Sequence, residues 1–179
     1  MEQAVFIDRD GVINALVERD GKYASPRTFE EFVLLPGVPD AISILQSLGF
    51  KCVVVTNQPD ISRGLMPIFE LEKISEILIS QFSDIAIKIC PHDDSDNCDC
   101  RKPKDGLIIQ AALEFGLDPA KSWMVGDRAS DIEAGISAGC KVAFINSGQD
   151  ALEKISHFPK TEIFRDLLDF AHYLTFTSR

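Results

Sequence analysis

Short β-rich runs alternate with helix-period stripes along nearly the whole chain, and that alternation restricts the fold more than any other feature. Val5–Ile7, Cys52–Val55, Trp123–Val125 and Val142–Ile145 are apolar runs of strand length, and Ile85–Ile89 is a β-rich run broken only by Lys88. Between them, Ala41, Ile44, Leu45 and Leu48 fall at helical spacing and are closed by Gly49. Leu71, Ile74, Leu78 and Phe82 mark a second helix; Leu107, Ile108, Ala111, Ala112 and Phe115 mark a third, followed by Gly116. Ser130 or Asp131 starts a fourth, which carries Ile132 and Ile136 and stops near Gly139; Leu167, Leu168 and Ala171 repeat the spacing in the tail. Strands alternating with helices require crossovers, and crossovers give a mainly parallel sheet covered on both faces. The expected fold is α/β, a three-layer sandwich in one domain over residues 1–179. No internal repeat, low-complexity tract or linker interrupts it.

Charge and composition narrow the partners. Lys plus Arg is 18 and Asp plus Glu is 28, a formal net charge of −10. Such a chain is repelled by phosphate backbones unless a basic patch overrides the field, and no Lys/Arg run does so. Nucleic acid is therefore not an expected partner. An anionic substrate must be held by a few placed cations or a metal. No stretch approaches the roughly 18 apolar residues of a membrane span, and the N-terminal run Ala4–Ile7 lacks a basic start and is too short for a signal-peptide core. The expected setting is the cytoplasm, with reduced cysteines.

In parallel sheets of this kind the ligand lies beyond the carboxyl ends of the strands. The residues there are Asp8-Arg9-Asp10, Thr56-Asn57-Gln58, Cys90-Pro91-His92 and Gly126-Asp127. Polar and metal-binding groups collect at one edge. Asp8 and Asp10, two apart on extended backbone, share a face. Asp127 joins them, and three close carboxylates repel unless a cation neutralises them. Mg²⁺ is the expected ion, being hard and preferring oxygen.

Asp8-Arg9-Asp10-Gly11-Val12-Ile13-Asn14 resembles motif one of the haloacid-dehalogenase (HAD) phosphatase superfamily. Thr56-Asn57-Gln58 resembles motif two, Arg101-Lys102-Pro103 the motif-three lysine region, and Gly126-Asp127-Arg128 with Asp131 motif four. The resemblance implies a HAD-type Rossmann-like core without a large cap domain. It implies Asp8 as the nucleophile, forming an aspartyl-phosphate, and Asp10 as general acid and then base. It places Mg²⁺ between Asp8, the backbone carbonyl of Asp10 and Asp127. Thr56 and Asn57 would hold phosphoryl oxygens, Lys102 would supply fixed positive charge, and Arg128 would face the substrate. Asp131 would orient Lys102 or reach the metal through water.

A second cluster stands beside this set. Cys90, His92, Cys98 and Cys100 follow the pattern C-x-H-x5-C-x-C. Three thiolates and one imidazole complete a closed tetrahedral Zn²⁺ site, structural because no position is left open. It would fix the loop that delivers Arg101 and Lys102. Cys52 and Cys140 read as core thiols.

A zinc loop within a HAD protein is similar to the branch holding heptose-bisphosphate phosphatases and related histidinol-phosphatases. Thr56–Gly64, with its Arg63-Gly64, resembles the heptose side; the five-residue spacer of the zinc loop is closer to the histidinol-phosphatase spacing. The expected function is Mg²⁺-dependent hydrolysis of a small phosphorylated metabolite, with a sugar phosphate favoured over histidinol phosphate. A noncatalytic binding module is the third reading, and the intact set Asp8, Asp10, Thr56, Lys102 and Asp127 weighs against it. The segment Leu16–Thr28, Ile61–Leu65 and the zinc loop would wall an open site in a monomer. Arg101 would hold a second phosphate or a sugar hydroxyl. Arg27 and Arg63 fit surface salt bridges better.

Overall fold

The computed structural model describes residues 1–148, 150 and 152–177. Its strands are β1 (Ala4–Ile7), β2 (Val17–Arg19), β3 (Lys22–Ala24), β4 (Lys51–Asn57), β5 (Ala86–Cys90), β6 (Trp123–Gly126), β7 (Lys141–Ile145) and β8 (Glu162–Phe164). Its helices are α1 (Val38–Ser47), α2 (Ile68–Gln81), α3 (Gly106–Phe115), α4 (Ala129–Ser137), the single turn α5 (Leu152–Ile155) and α6 (Leu167–Thr177). Six strands form one sheet in the order β5-β4-β1-β6-β7-β8, and every pairing in it is parallel.

The apolar strand runs are continuous because both sheet faces are covered. Val5 and Ile7 of β1, Cys52 and Val54 of β4, and Trp123 and Val125 of β6 share a core with α1 and α6. Their alternates Ala4, Phe6, Val53, Val55 and Met124 share the opposite core with α3 and α4. The period-2 geometry of a strand thus splits each run between two layers. Trp123, Phe164 and Phe170 meet edge-on in the first core, with ring centroids 5.4 Å apart in both pairs.

Numbered among the parallel strands alone, the order is 3-2-1-4-5-6, which reverses between β1 and β6. A crevice opens at such a switch point because successive crossovers leave in opposite directions. Asp8 follows β1 and Asp127 follows β6, so the topology sets two of the expected site residues on either side of it.

Three local readings change. The segment Leu16–Thr28 carries the β2–β3 hairpin, which turns at Asp20-Gly21 with φ of 52° and 71°. The hairpin buries no residue, so no apolar alternation announces it. β8 is an edge strand of three residues with only Phe164 buried, too short for a periodic signal. α4 begins at Ala129 rather than at Ser130 or Asp131. Asp131 sits one turn inside the helix, where its Oδ2 accepts the backbone N–H of Arg128 at 3.0 Å. No helix among the described residues is long and apolar enough to cross a membrane.

Candidate active site

The carboxyl ends of β1, β4 and β6 and the loop before α3 meet around a cavity of about 420 Å³. Asp8, Asp10, Asn57, Arg101, Lys102, Arg128 and Asp131 line it, as do Arg27 and Arg63. The hairpin side is Tyr23–Ser25, and Asp94 comes from the cysteine loop.

Lys102 is the hinge of the site. Its Nζ lies 2.6 Å from Asp8 Oδ1, 2.6 Å from Asp131 Oδ1 and 2.8 Å from the Val55 carbonyl oxygen. An ammonium has three protons to donate, and all three find acceptors. Burial alone would lower this lysine, but Asp131 and Asp8 outweigh it and hold it above its usual value. Asn57 fixes where the lysine enters: its Nδ2 donates to the Lys102 carbonyl at 3.0 Å, and its Oδ1 accepts the Lys102 amide at 3.1 Å. This pair of bonds sews the end of β4 to the loop.

Asp8, Asp127 and Asp131 bring carboxylate oxygens within 4.8 Å of one another. One lysine cannot balance three acids in a dry pocket. Burial, reinforced by Asp131 and Asp10 and partly offset by Lys102, raises Asp8 to about 6. Burial, with Asp8 and Asp131, raises Asp127 to about 8. Asp127 Oδ2 accepts the Ser147 hydroxyl at 2.6 Å, but its Oδ1 is buried with no hydrogen-bond partner. A buried orphan acceptor beside a second carboxylate suits a hard cation. Both oxygens of Asp131 are already engaged, one by Lys102 and one by the Arg128 amide. The cation would therefore fall to Asp8 and Asp127.

The raised acids set a pH dependence. A carboxyl whose folded pKa exceeds its unfolded value of 3.8 adds stability below that value and loses it as pH rises through the folded one. In magnesium-free buffer the melting temperature is expected to fall between about pH 5 and pH 8. Added Mg²⁺ is expected to raise it more at pH 8 than at pH 5, by several degrees, as thermal melts at both pH values can show. Equal Mg²⁺ effects at the two values would remove the carboxylate cluster as the binding site.

Gly11 lets these acids approach. Its φ is +90°, and a Cβ there would lie 2.0 Å from Asp127 Oδ2. Gly11→Ala is expected to weaken apparent Mg²⁺ affinity by roughly tenfold or more, through displacement of Asp127 and backbone strain of about 1–3 kcal/mol. Phosphate release titrated against Mg²⁺ checks this; an unchanged midpoint would show that Asp127 tolerates the shift.

Asp10 stands outside the group formed by Asp8, Asp127 and Asp131, and different partners hold it. Arg9 grips it from Nε to Oδ1 at 3.0 Å and from Nη2 to Oδ2 at 3.1 Å. Gln58 Nε2 donates to Asp10 Oδ2 at 2.7 Å and to Thr56 Oγ1 at 2.8 Å, and Asn14 Nδ2 reaches Asp10 Oδ1 at 3.0 Å. Burial pushes the Asp10 carboxyl up, but Arg9 and these hydrogen bonds outweigh it and hold it below the usual range. Arg9, Asn14, Gln58 and Ser147 are contacts that sequence reading passes over. Arg9, Asn14 and Gln58 lie within the motif segments without having been given a role, and Ser147 follows the end of β7, so the strand-end rule applied once more would have reached it.

The second cluster assembles from the last residue of β5 and the loop after it. Cys90 Sγ is 3.6 Å from Cys98 Sγ and 3.6 Å from His92 Nδ1; Cys100 Sγ is 3.5 Å from Cys98 Sγ and 3.3 Å from His92 Nδ1. A tetrahedral metal with bonds of about 2.3 Å to sulfur and about 2.0–2.1 Å to nitrogen has S···S edges of roughly 3.8 Å and S···N edges of roughly 3.6 Å. The four ligands fit a single metal ion. The remaining thiols, Cys52 and Cys140, are raised to about 12 by burial and sit outside both clusters. Arg27 pairs with Asp60 at 2.7 Å, and Arg63 pairs with Asp60 and Asp93.

The HAD-hydrolase-like family model matches residues 99–170. The D-glycero-beta-D-manno-heptose-1,7-bisphosphate 7-phosphatase of Haemophilus influenzae is 37% identical over 153 residues, covering 79% of this chain and 80% of its own. The protein of the same name from Pseudomonas putida is 35% identical over 176 residues, covering 95% and 98%. The chain belongs to this phosphatase family. It is a HAD-like phosphoric monoester hydrolase. The D,D-heptose 1,7-bisphosphate phosphatase from B. bronchiseptica, solved with magnesium and phosphate, superposes with a TM-score of 0.84 at 29% identity, over 99% of both chains. The likeness to this solved phosphatase covers 99% of the chain, so it extends well past Asp131, the last residue of the motif resemblance.

Proposed function

We propose that the chain removes the 7-phosphate of D-glycero-D-manno-heptose 1,7-bisphosphate through an aspartyl-phosphate on Asp8. The observation that carries this reading is the Asp8–Lys102–Asp131 array beside the orphan oxygen of Asp127, in a pocket rimmed by arginines. It is supported by relatives of that name matched over most of their length.

Asp8 attacks phosphorus as the ester P–O bond breaks, and Asp10 gives a proton to the leaving oxygen. Asp10 then takes a proton from the water that attacks the aspartyl-phosphate at phosphorus, releasing phosphate and restoring Asp8. Arg9 keeps Asp10 ionised in the resting site, so its proton is taken up as the substrate dianion arrives and raises its pKa. Lys102 holds Asp8 in line and offsets phosphoryl charge. Gln58 occupies a lone pair of Thr56 Oγ1, which leaves the threonine hydroxyl proton for a phosphoryl oxygen. The Asn57 amide and Arg128 contact the same group. Asp8, the Asp10 carbonyl and Asp127 would hold Mg²⁺, which would supply charge that lowers the repulsion between carboxylate and phosphate.

Zn²⁺ in the Cys90, His92, Cys98, Cys100 site is structural and rigidifies the loop that carries Arg101 and Lys102. The same reading makes the protein a monomer acting on a small phosphorylated metabolite in the cytoplasm. The net charge of −10 disfavours nucleic acid.

The test is phosphate release from heptose 1,7-bisphosphate in both anomers, against histidinol phosphate and hexose monophosphates. The heptose bisphosphate is expected to give the highest kcat/KM by at least about tenfold, since a second phosphate adds a charge-assisted contact. A preference for histidinol phosphate would overturn the substrate and leave the chemistry.

A further inference from the structure

Arg27, Arg63 and Arg101 line the pocket mouth, each paired with a carboxylate, and the pairs differ in solvent access. Asp60, which holds Arg27 and Arg63, has a side chain 15% exposed, and Asp93, which also holds Arg63, is 28% exposed. Asp94, which holds Arg101, is 82% exposed. Arg101 itself is only partly exposed, at 17%: Nη1 donates to the His92 carbonyl at 3.3 Å, and Nε donates to Asp94 Oδ1 at 2.6 Å. The guanidinium is thus fixed at the mouth while its anion is exchangeable. An exposed pair is weak, and a phosphate dianion is a better partner for a planar guanidinium than one carboxylate oxygen.

We propose that Asp94 is a specificity-determining residue: it occupies Arg101 in the empty site, yields to an anionic group at the far end of the substrate, and returns to displace a product that keeps that anion. This rests on the bisphosphate reading above. A 7-phosphatase leaves the 1-phosphate on its product, so Arg101 would grip substrate and product alike. Such uniform binding lowers KM without raising kcat. An internal competitor shortens the stay of the product. The same carboxylate leaves a substrate with a neutral far end unaffected, because Arg101 stays closed.

Asp94 can be changed without dismantling its loop. Asp93 Oδ1 accepts the Asp94 amide at 2.8 Å, and the Asp93 amide donates to Asp96 Oδ2 at 2.7 Å, so its neighbours carry the turn. In Asp94→Asn, KM for heptose 1,7-bisphosphate and the inhibition constant of heptose 1-phosphate are both expected to fall by the same factor, about two- to fivefold, the span of an exposed ion pair. Arg101→Gln is expected to raise both and to erase the effect of Asp94→Asn in the double variant. Calorimetric binding of fructose 1,6-bisphosphate against fructose 6-phosphate to the zinc-loaded protein gives a substrate-independent reading. Asp94→Asn should tighten the bisphosphate only. Equal tightening of both sugars, or an effect that survives Arg101→Gln, would overturn the proposal. Failure of the wild type to hydrolyse the heptose bisphosphate would overturn the substrate reading instead, and the calorimetric ratio would still decide the role of Asp94.

Discussion

Asp8→Asn is expected to abolish phosphate release, a loss of about four orders of magnitude or more in kcat, as for other nucleophile deletions. The fold is expected to survive. The amide keeps an oxygen where Asp8 Oδ1 accepts Lys102 Nζ at 2.6 Å, so the lysine retains its three acceptors. It also removes a charge that burial and Asp131 disfavour, which is why Asp8 is raised to about 6. Without Mg²⁺ the variant should therefore melt at or above the wild-type temperature at pH 8. Single-turnover phosphate release and thermal melts separate the two statements. Ordinary turnover would remove Asp8 as the nucleophile, while lost activity with a collapsed melt would show that the aspartate holds the strand ends together.

Cys98→Ser is expected to have the largest effect on stability. Cys98 touches Cys90 at 3.6 Å and Cys100 at 3.5 Å, and metal elemental analysis should change from one Zn²⁺ per chain to nearly none. Structural zinc contributes about 10–16 kcal/mol of binding energy in small zinc-dependent domains. Here the metal would organise one loop on an existing core, so a loss of several kcal/mol is the expected scale. At about 2–4 °C per kcal/mol for a chain of this size, the melting temperature should fall by roughly 10 °C. Activity should fall with it, because the same loop runs directly into Arg101 and Lys102. The Asn57 bonds to Lys102 should keep part of the lysine's placement, so residual hydrolysis distinguishes this variant from Asp8→Asn. Zinc loss with an unchanged melt would mean that the loop is ordered by its hydrogen bonds alone.

How much was legible follows from what each residue contacts. The central strands were readable because both faces are buried and leave uninterrupted apolar runs, as in Cys52–Val55. The cysteine–histidine cluster was readable because its four side chains lie within eleven positions of one another in the chain. The β2–β3 hairpin was not, because it buries nothing and its polar sequence has no period to detect. Arg9 was passed over for the opposite reason. An arginine between two aspartates reads as a solvated charge, yet its side chain is 1% exposed and clasped to Asp10.

The sequence by itself determined the α/β layering, the strand ends at which chemistry collects, the acidic, lysine and cysteine–histidine sets, and the phosphatase resemblance. These depend on local periodicity, short-range spacing and residue type, which a linear chain displays directly. The tertiary structure decided which acids meet. It separated Asp10, held by Arg9, Gln58 and Asn14, from Asp8, Asp127 and Asp131, and it gave Lys102 to Asp8 and Asp131 together. It also set Asp94 on Arg101. Pairings across tens of residues depend on the order of strands in the sheet, and the reversal between β1 and β6 is a property of the folded topology, not of any segment of the chain.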